Sequence, residues 1–125
     1  MLSTVAAVAV GGATGALARY GASTLFVMWF GRGFPVGTLV VNVVGSFLIG
    51  LAYVFLVERS LLSAEWRLGL ITGVLGGFTT FSAFSLETVG LLQDNAYLRA
   101  VLYVLLSVCL CIGATILAIW LARKI

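Results

Sequence analysis

Between Gly73 and Thr88 the chain places glycines, hydroxyl residues, three phenylalanines and a carboxylate inside a segment otherwise apolar enough to cross a bilayer. Lipid asks for none of those groups. Backbone at membrane depth must satisfy its own polar atoms, so an irregular, glycine-weakened turn is tolerated there only when buried in protein or lining a hydrated path. The segment therefore reads as a pore or binding site first and as an anchor second. Phe81 and Phe84 are spaced i, i+3, on one face of a helix, and they sit among Thr79, Thr80, Ser82 and Ser85. The ordinary reading of such a pair is packing or lipid contact. Among hydroxyls it has another, because a ring edge carries the positive part of the aromatic quadrupole. Such edges suit a small anion that must shed water without being trapped by a full positive charge.

Two further lines of polar residues run through apolar helices. Thr38, Asn42 and Ser46 follow at i, i+4 and i+8 and share one helix face. Tyr103, Ser107, Cys111 and Thr115 repeat the pattern near the C-terminus. A single hydroxyl in hydrocarbon is ordinarily interhelical glue, worth about 0.6 kcal/mol; two stripes together with the polar third span point instead to a lined pathway. Asn42, with two donors and an acceptor to satisfy, is the strongest candidate in the second span. Arg19 and Glu87 are the ionisable groups well inside apolar segments, and an intramembrane charge is a functional hypothesis by default. Arg19 is too far from its helix end to snorkel easily, and a cation at a pore mouth concentrates anions. Glu87 either faces a polar cavity or pairs with a Tyr or Ser hydroxyl. The chain has no histidine and no nucleophile and base set, so it is not expected to be an enzyme.

Composition dictates the elements that hold these groups. Of 125 residues, 62% are hydrophobic and 9% charged, and the mean hydropathy is +1.22, so the surface cannot be a water-soluble one. At about 20 apolar residues per span this is a single domain of about four transmembrane helices, placed near residues 4–30, 36–57, 67–92 and 99–122. Trp29, Trp66 and Trp120, with Tyr53 and Tyr97, fall at or near span ends, where amphipathic rings prefer the headgroup layer. The first basic residue is Arg19, so no cleavable leader is expected. Gly11-x-x-x-Gly15 and Gly73-x-x-x-Gly77 offer close helix packing in lipid. Cys109 and Cys111 lie two residues apart on different faces and match no redox or metal pattern.

The net charge of +3 is scattered rather than clustered, which excludes nucleic acid as a partner. With four spans, Arg59, Arg67, Arg123 and Lys124 lie on the side of the termini, against Arg32 and Arg99 on the other. In such short loops this split votes weakly for one orientation, leaving room for insertion both ways and antiparallel dimers. Four helices enclose little volume, so a water-lined path would more naturally form where two copies meet.

In order, Gly12-Ala-x-Gly-Ala-x-x-Arg19-Tyr20, Gly37-Thr38-x-x-x-Asn42-x-x-Gly45-Ser46-Phe47 and Gly76-Gly77-Phe78-Thr79-Thr80-Phe81-Ser82-Ala83-Phe84-Ser85 resemble the motifs of the Fluc fluoride channels, also called CrcB proteins. The resemblance covers essentially the whole chain. It implies an all-α fold of four transmembrane helices with a broken third helix, paired as an antiparallel dual-topology homodimer in the bacterial inner membrane. It implies two fluoride pores and one structural sodium ion on the dimer axis, held by the backbone carbonyls of Gly76 and Thr79 from each copy. By the same resemblance Phe81 and Phe84 flank permeating fluoride and Asn42 is a pore-lining amide. Tyr103, Ser107 and Cys111 form the hydroxyl line of the fourth span, Glu87 lies near the pore, and Arg19 is the first-span arginine at a vestibule or interface. Ser82 and Ser85 belong to the same pathway. Two positions depart from the usual pattern: Ala83, where many relatives carry Thr, and Cys111, where Ser is frequent.

The expected activity is passive export of fluoride. HF enters acidified cells as a neutral acid and dissociates in the more alkaline cytoplasm, and a channel empties the resulting trap of ions. The alternative from another class is a small dual-topology exporter of cationic drugs. Such proteins need a carboxylate in the first span to swap cation for proton, and this chain carries Arg19 there. Glycine at position 76 is expected to supply the backbone conformation that a helix break needs.

Overall fold

A computed structural model describes residues 1–125 as helices joined by short turns, with no strand. The first helix, α1 (Leu2–Phe30), is built on small residues and ends at Gly31, whose φ of 73° turns the chain while its N–H bonds to Val27 O at 2.8 Å. Pro35 opens α2 (Val36–Ala52), which widens into π-type turns over Tyr53–Glu58. The third stretch begins as α3 (Ala64–Leu68), passes through a second π-type segment (Gly69–Leu75) and closes as the short α4 (Gly76–Phe78). After two extended residues come α5 (Phe81–Gln93) and α6 (Tyr97–Lys124). Four continuous apolar stretches, Leu2–Phe30, Val36–Glu58, Ala64–Gln93 and Tyr97–Lys124, are long enough to cross a membrane. They match the expected four within a few residues. The ends run further because helices continue into the polar residues that flank each apolar run.

Two glycine-rich seams organise the packing. Along the first, α1 lies against the α3–α4 stretch: a Cβ at Gly73 would meet Val8 O at 2.9 Å, and one at Gly77 would meet Gly12 O at 2.6 Å. The backbones touch there, which is how helices gain dispersion contacts in a solvent as apolar as they are. On the second seam α2 crosses α6 at Gly50, where an added Cβ would lie 2.7 Å from Ala118 Cβ. Thr115 Oγ1 ties this crossing by donating to Ser46 O at 2.8 Å. Val41, Val54, Tyr103, Ala118 and Ala122 form the small core between these helices.

The helix ends are fastened by polar contacts. Near the termini, Arg123 pairs with Glu58, and Arg59 Nη2 donates to Ala122 O at 3.0 Å. At the opposite end Arg99 Nη1 donates to Gly33 O at 3.2 Å. Only 17 of 125 residues are buried within one chain, so most apolar side chains face outward, as expected where lipid or a neighbouring protein is the solvent.

Candidate ion pathway

Thr79 (φ −82°, ψ 157°) and Thr80 (φ −152°, ψ 115°) are extended and separate α4 from α5. An extended pair inside an apolar span strands backbone groups, and the side chains around it meet most of that demand. Asn42 forms a clasp: its Nδ2 donates to Thr80 O at 3.0 Å, and its Oδ1 accepts from Thr80 N at 2.8 Å. Thr80 Oγ1 in turn accepts from Ala83 N at 3.2 Å and caps α5. Those two amides, Thr80 N and Ala83 N, are the donors that an unbroken helix would turn towards the carbonyls of Gly76 and Thr79. Both carbonyls are thereby released. Free carbonyl oxygens on a turn are hard ligands, so this pair fits a hard cation rather than a soft one. Gly76 itself has φ −64° and ψ −37°, ordinary right-handed values, and an added Cβ would come no closer than 3.7 Å to Ile71 O. The expectation that glycine is needed here for an unusual conformation is thus corrected, because the departure from helix occurs at the two threonines.

The stripes of α2 and α6 border one cavity of about 370 Å³, which Asn42 and Ser46 line from one helix and Ser107 and Cys111 from the other. Gly76, Thr79 and Thr80 reach it from the extended turn, and Phe81 and Phe84 from α5. Ser107 is buried, and its Oγ has no hydrogen-bond partner. The two rings differ in setting. Phe84 is buried, whereas Phe81 is 77% exposed, with their centroids 5.4 Å apart. Phe84 stacks on Tyr103 at 5.1 Å, and Tyr103 meets Phe34 at 5.5 Å, so four rings form a row leading towards the α1–α2 turn.

Glu87 and Tyr103 lie outside that cavity but hold each other. Tyr103 donates to Glu87 Oε2 at 2.6 Å, and Thr38 Oγ1 donates to Oε1 at 2.7 Å, so the carboxylate takes a hydroxyl on each oxygen. Thr38 and Glu87 border two further cavities. One, of about 320 Å³, includes Arg32 and the Gly31–Pro35 turn; the other, of about 350 Å³, includes Arg19, Ser23 and Thr80. Arg19 Nε is buried there without a partner. Ser82 and Ser85 border none of these three spaces. The Ser82 hydroxyl lies 3.3 Å from Thr80 Oγ1, and Ser85 Oγ donates back to Phe81 O at 3.0 Å. Sequence reasoning passed over Thr80 as Asn42's partner and Phe34 as the last ring of the row. The first carried a signal, a threonine directly before an apolar helical run; the second carried none.

The profile of the family described as CrcB-like protein, camphor resistance, matches residues 6–119. A fluoride-specific ion channel FluC of Geobacter metallireducens is 49% identical over 122 residues, covering 98% of both chains. The protein of the same name from Geobacter sulfurreducens is 49% identical over 124 residues, 99% of this chain and 100% of that one. A third, from Methylococcus capsulatus, is 50% identical over 119 residues, 95% of this chain; there the chain spans 52% of its relative's length. All three carry the name of a channel, not of an enzyme. With four membrane-length helices and a match of this extent, the chain is a multi-pass membrane protein and belongs to the CrcB family.

Proposed function

We propose that this chain is a fluoride channel that lets the ion leave the bacterial cytoplasm passively across the inner membrane. The observation that carries the reading is the single cavity on which the α2 stripe, the α6 stripe and the Phe81–Phe84 pair converge. The relatives' shared name supports the choice of ion. In this reading Asn42 and Ser107 offer hydrogen-bond donors, ring edges replace part of the ion's water, and no cation borders that cavity to hold the ion. Conduction needs that balance, since a site favourable enough to enter must also be weak enough to leave. Arg19 and Arg32, each beside one of the two cavities that Glu87 borders, would raise the local concentration of anions without binding them in the narrow part.

The working unit in this proposal is an antiparallel pair of chains. The exposure of Phe81 and the outward-facing apolar surface are consistent with a second copy covering part of the bundle. Sodium would be held by the released carbonyls of Gly76 and Thr79 from both copies, where its charge would neutralise converging oxygen dipoles. The third helix, broken at Thr79–Thr80, then serves both purposes, freeing carbonyls on one side and starting the ring-bearing helix on the other. A proton-coupled cation exporter has no support, because α1 carries Arg19 in place of a carboxylate.

Proteoliposomes containing only this chain test the reading. Fluoride efflux, balanced by potassium leaving alongside through valinomycin, with chloride much slower, is the expected result. Equal rates for both ions, or no efflux from a correctly sized preparation, would overturn it.

A further inference from the structure

The two cysteines are two residues apart on α6, yet the fold gives them different surroundings. Cys109 is exposed on the outside of the bundle, and Cys111 borders the 370 Å³ cavity. The Cys111 thiol makes no hydrogen bond; the backbone carbonyl of the same residue is the group that accepts from Thr115 Oγ1, at 3.1 Å. One turn earlier on the same face lies Ser107, which borders the same space, is more than nine-tenths buried and keeps an unpartnered hydroxyl. A buried hydroxyl without a partner costs on the order of 1–3 kcal/mol, so this space favours an occupant that brings a hydrogen-bonding group. A free thiol beside it adds a soft ligand, and thiolate selects soft metal ions over hard ones.

We propose that Cys111 is a modification site for small soft electrophiles, Hg(II) above all, and that its occupation closes the pathway. In the step, the Cys111 S–H bond breaks and its proton passes to water. A sulfur–mercury bond forms and displaces one water from the hydrated ion. No electrons are transferred, and a competing thiol reverses the reaction by taking the metal. A second water that stays on the metal can turn towards Ser107 Oγ, which lacks a partner. The metal then stands between the polar stripes of α2 and α6, beside Phe84. Blocking as a consequence rests on the proposed ion path, whereas modification itself rests on the cavity alone.

Two readouts separate these claims. Intact mass after exposure to methylmercury should show one adduct on Cys109→Ser and none on the Cys109→Ser/Cys111→Ser double variant. Failure to label Cys109→Ser would remove the site, whatever the chain conducts. For the second readout, fluoride efflux is compared with and without micromolar Hg(II). The parental chain and Cys109→Ser should lose at least tenfold in rate and recover with dithiothreitol. Cys111→Ser, whatever its own rate, should give a ratio near one. Persistent block in Cys111→Ser, or full conduction by labelled Cys109→Ser, would overturn the inference. An absence of efflux from untreated parental protein would instead count against the channel reading and leave the labelling result to decide the site.

Discussion

At Asn42 a structural clasp and the proposed pathway meet in one side chain. It is the amide that a lined pathway would use, and it also satisfies both backbone groups of Thr80. Replacing it with leucine leaves a buried donor and acceptor unmet, at about 1–3 kcal/mol each, so Asn42→Leu should lower the unfolding midpoint as well as efflux. Asn42→Asp keeps the acceptor, loses the donor to Thr80 O and adds a negative charge, and should abolish fluoride efflux even where the protein remains folded. Normal efflux by Asn42→Asp would argue against any anion passing this point. The rings separate by burial. Phe84→Ile removes a buried stack with Tyr103, an interaction of about 0.5–1.5 kcal/mol beyond area, whereas Phe81→Ile alters a ring that one chain leaves mostly exposed. Both should slow efflux sharply, with thermal stability falling more for Phe84→Ile. Parental efflux by both variants would discard the ring-edge contact.

At the scale of elements, the glycines divide into those that are contacts and those that are not. Gly77 faces Gly12 backbone with no room for a methyl, while Gly76, one residue earlier, has room. Gly77→Ala should therefore push α1 away from the α3–α4 stretch and lower stability by about 1–3 kcal/mol as an overpacked interface does. Gly76→Ala should be accepted by the single chain. Size exclusion and a detergent unfolding curve on the two variants check the contrast. Equal damage from both would mean that a second copy, rather than α1, sets the constraint at Gly76. Helix caps belong to this scale too. Thr80→Ala removes the α5 cap and the acceptor for Ala83 N, a loss of about 1 kcal/mol, and should loosen the start of the ring-bearing helix more than Thr79→Ala, whose hydroxyl bonds only to Leu75 O.

For the whole molecule, the proposed antiparallel pair makes the strongest demand. Single cysteines placed in the α1–α2 turn of a background without native cysteines should label from both sides of the membrane. Labelling from one side alone would eliminate dual topology. If sodium joins the two copies, it stabilises the assembly by linkage, by an amount that grows with the logarithm of its concentration over its dissociation constant. Long exchange into sodium-free N-methylglucamine should then lower the thermal midpoint of the parental protein, and Thr79→Ala should keep that sodium response because its carbonyl survives. A midpoint independent of sodium would leave the carbonyls of Gly76 and Thr79 without the proposed ligand.

The amino-acid sequence alone determined the number of helices, their limits to within a few residues and the helix faces that carry polar groups. These follow from hydropathy and from the helical period, which are local properties. It also marked Gly73–Thr88 as unusual, because hydroxyls and glycines in such a run contradict what lipid selects. Only the tertiary structure decided which groups answer one another. That Thr80 is paired with Asn42, that Glu87 is held by Thr38 and Tyr103, and that Phe34 ends the row of rings all depend on how helices distant in sequence are rotated and crossed. The same is true of the two cysteines, since a helical period assigns them different faces but only packing says which face borders a cavity. Gly76 is the plainest case: its residue type suggested conformational need, and the backbone angles put the departure from helix at Thr79 and Thr80, where an asparagine on another helix supplies the missing hydrogen bonds.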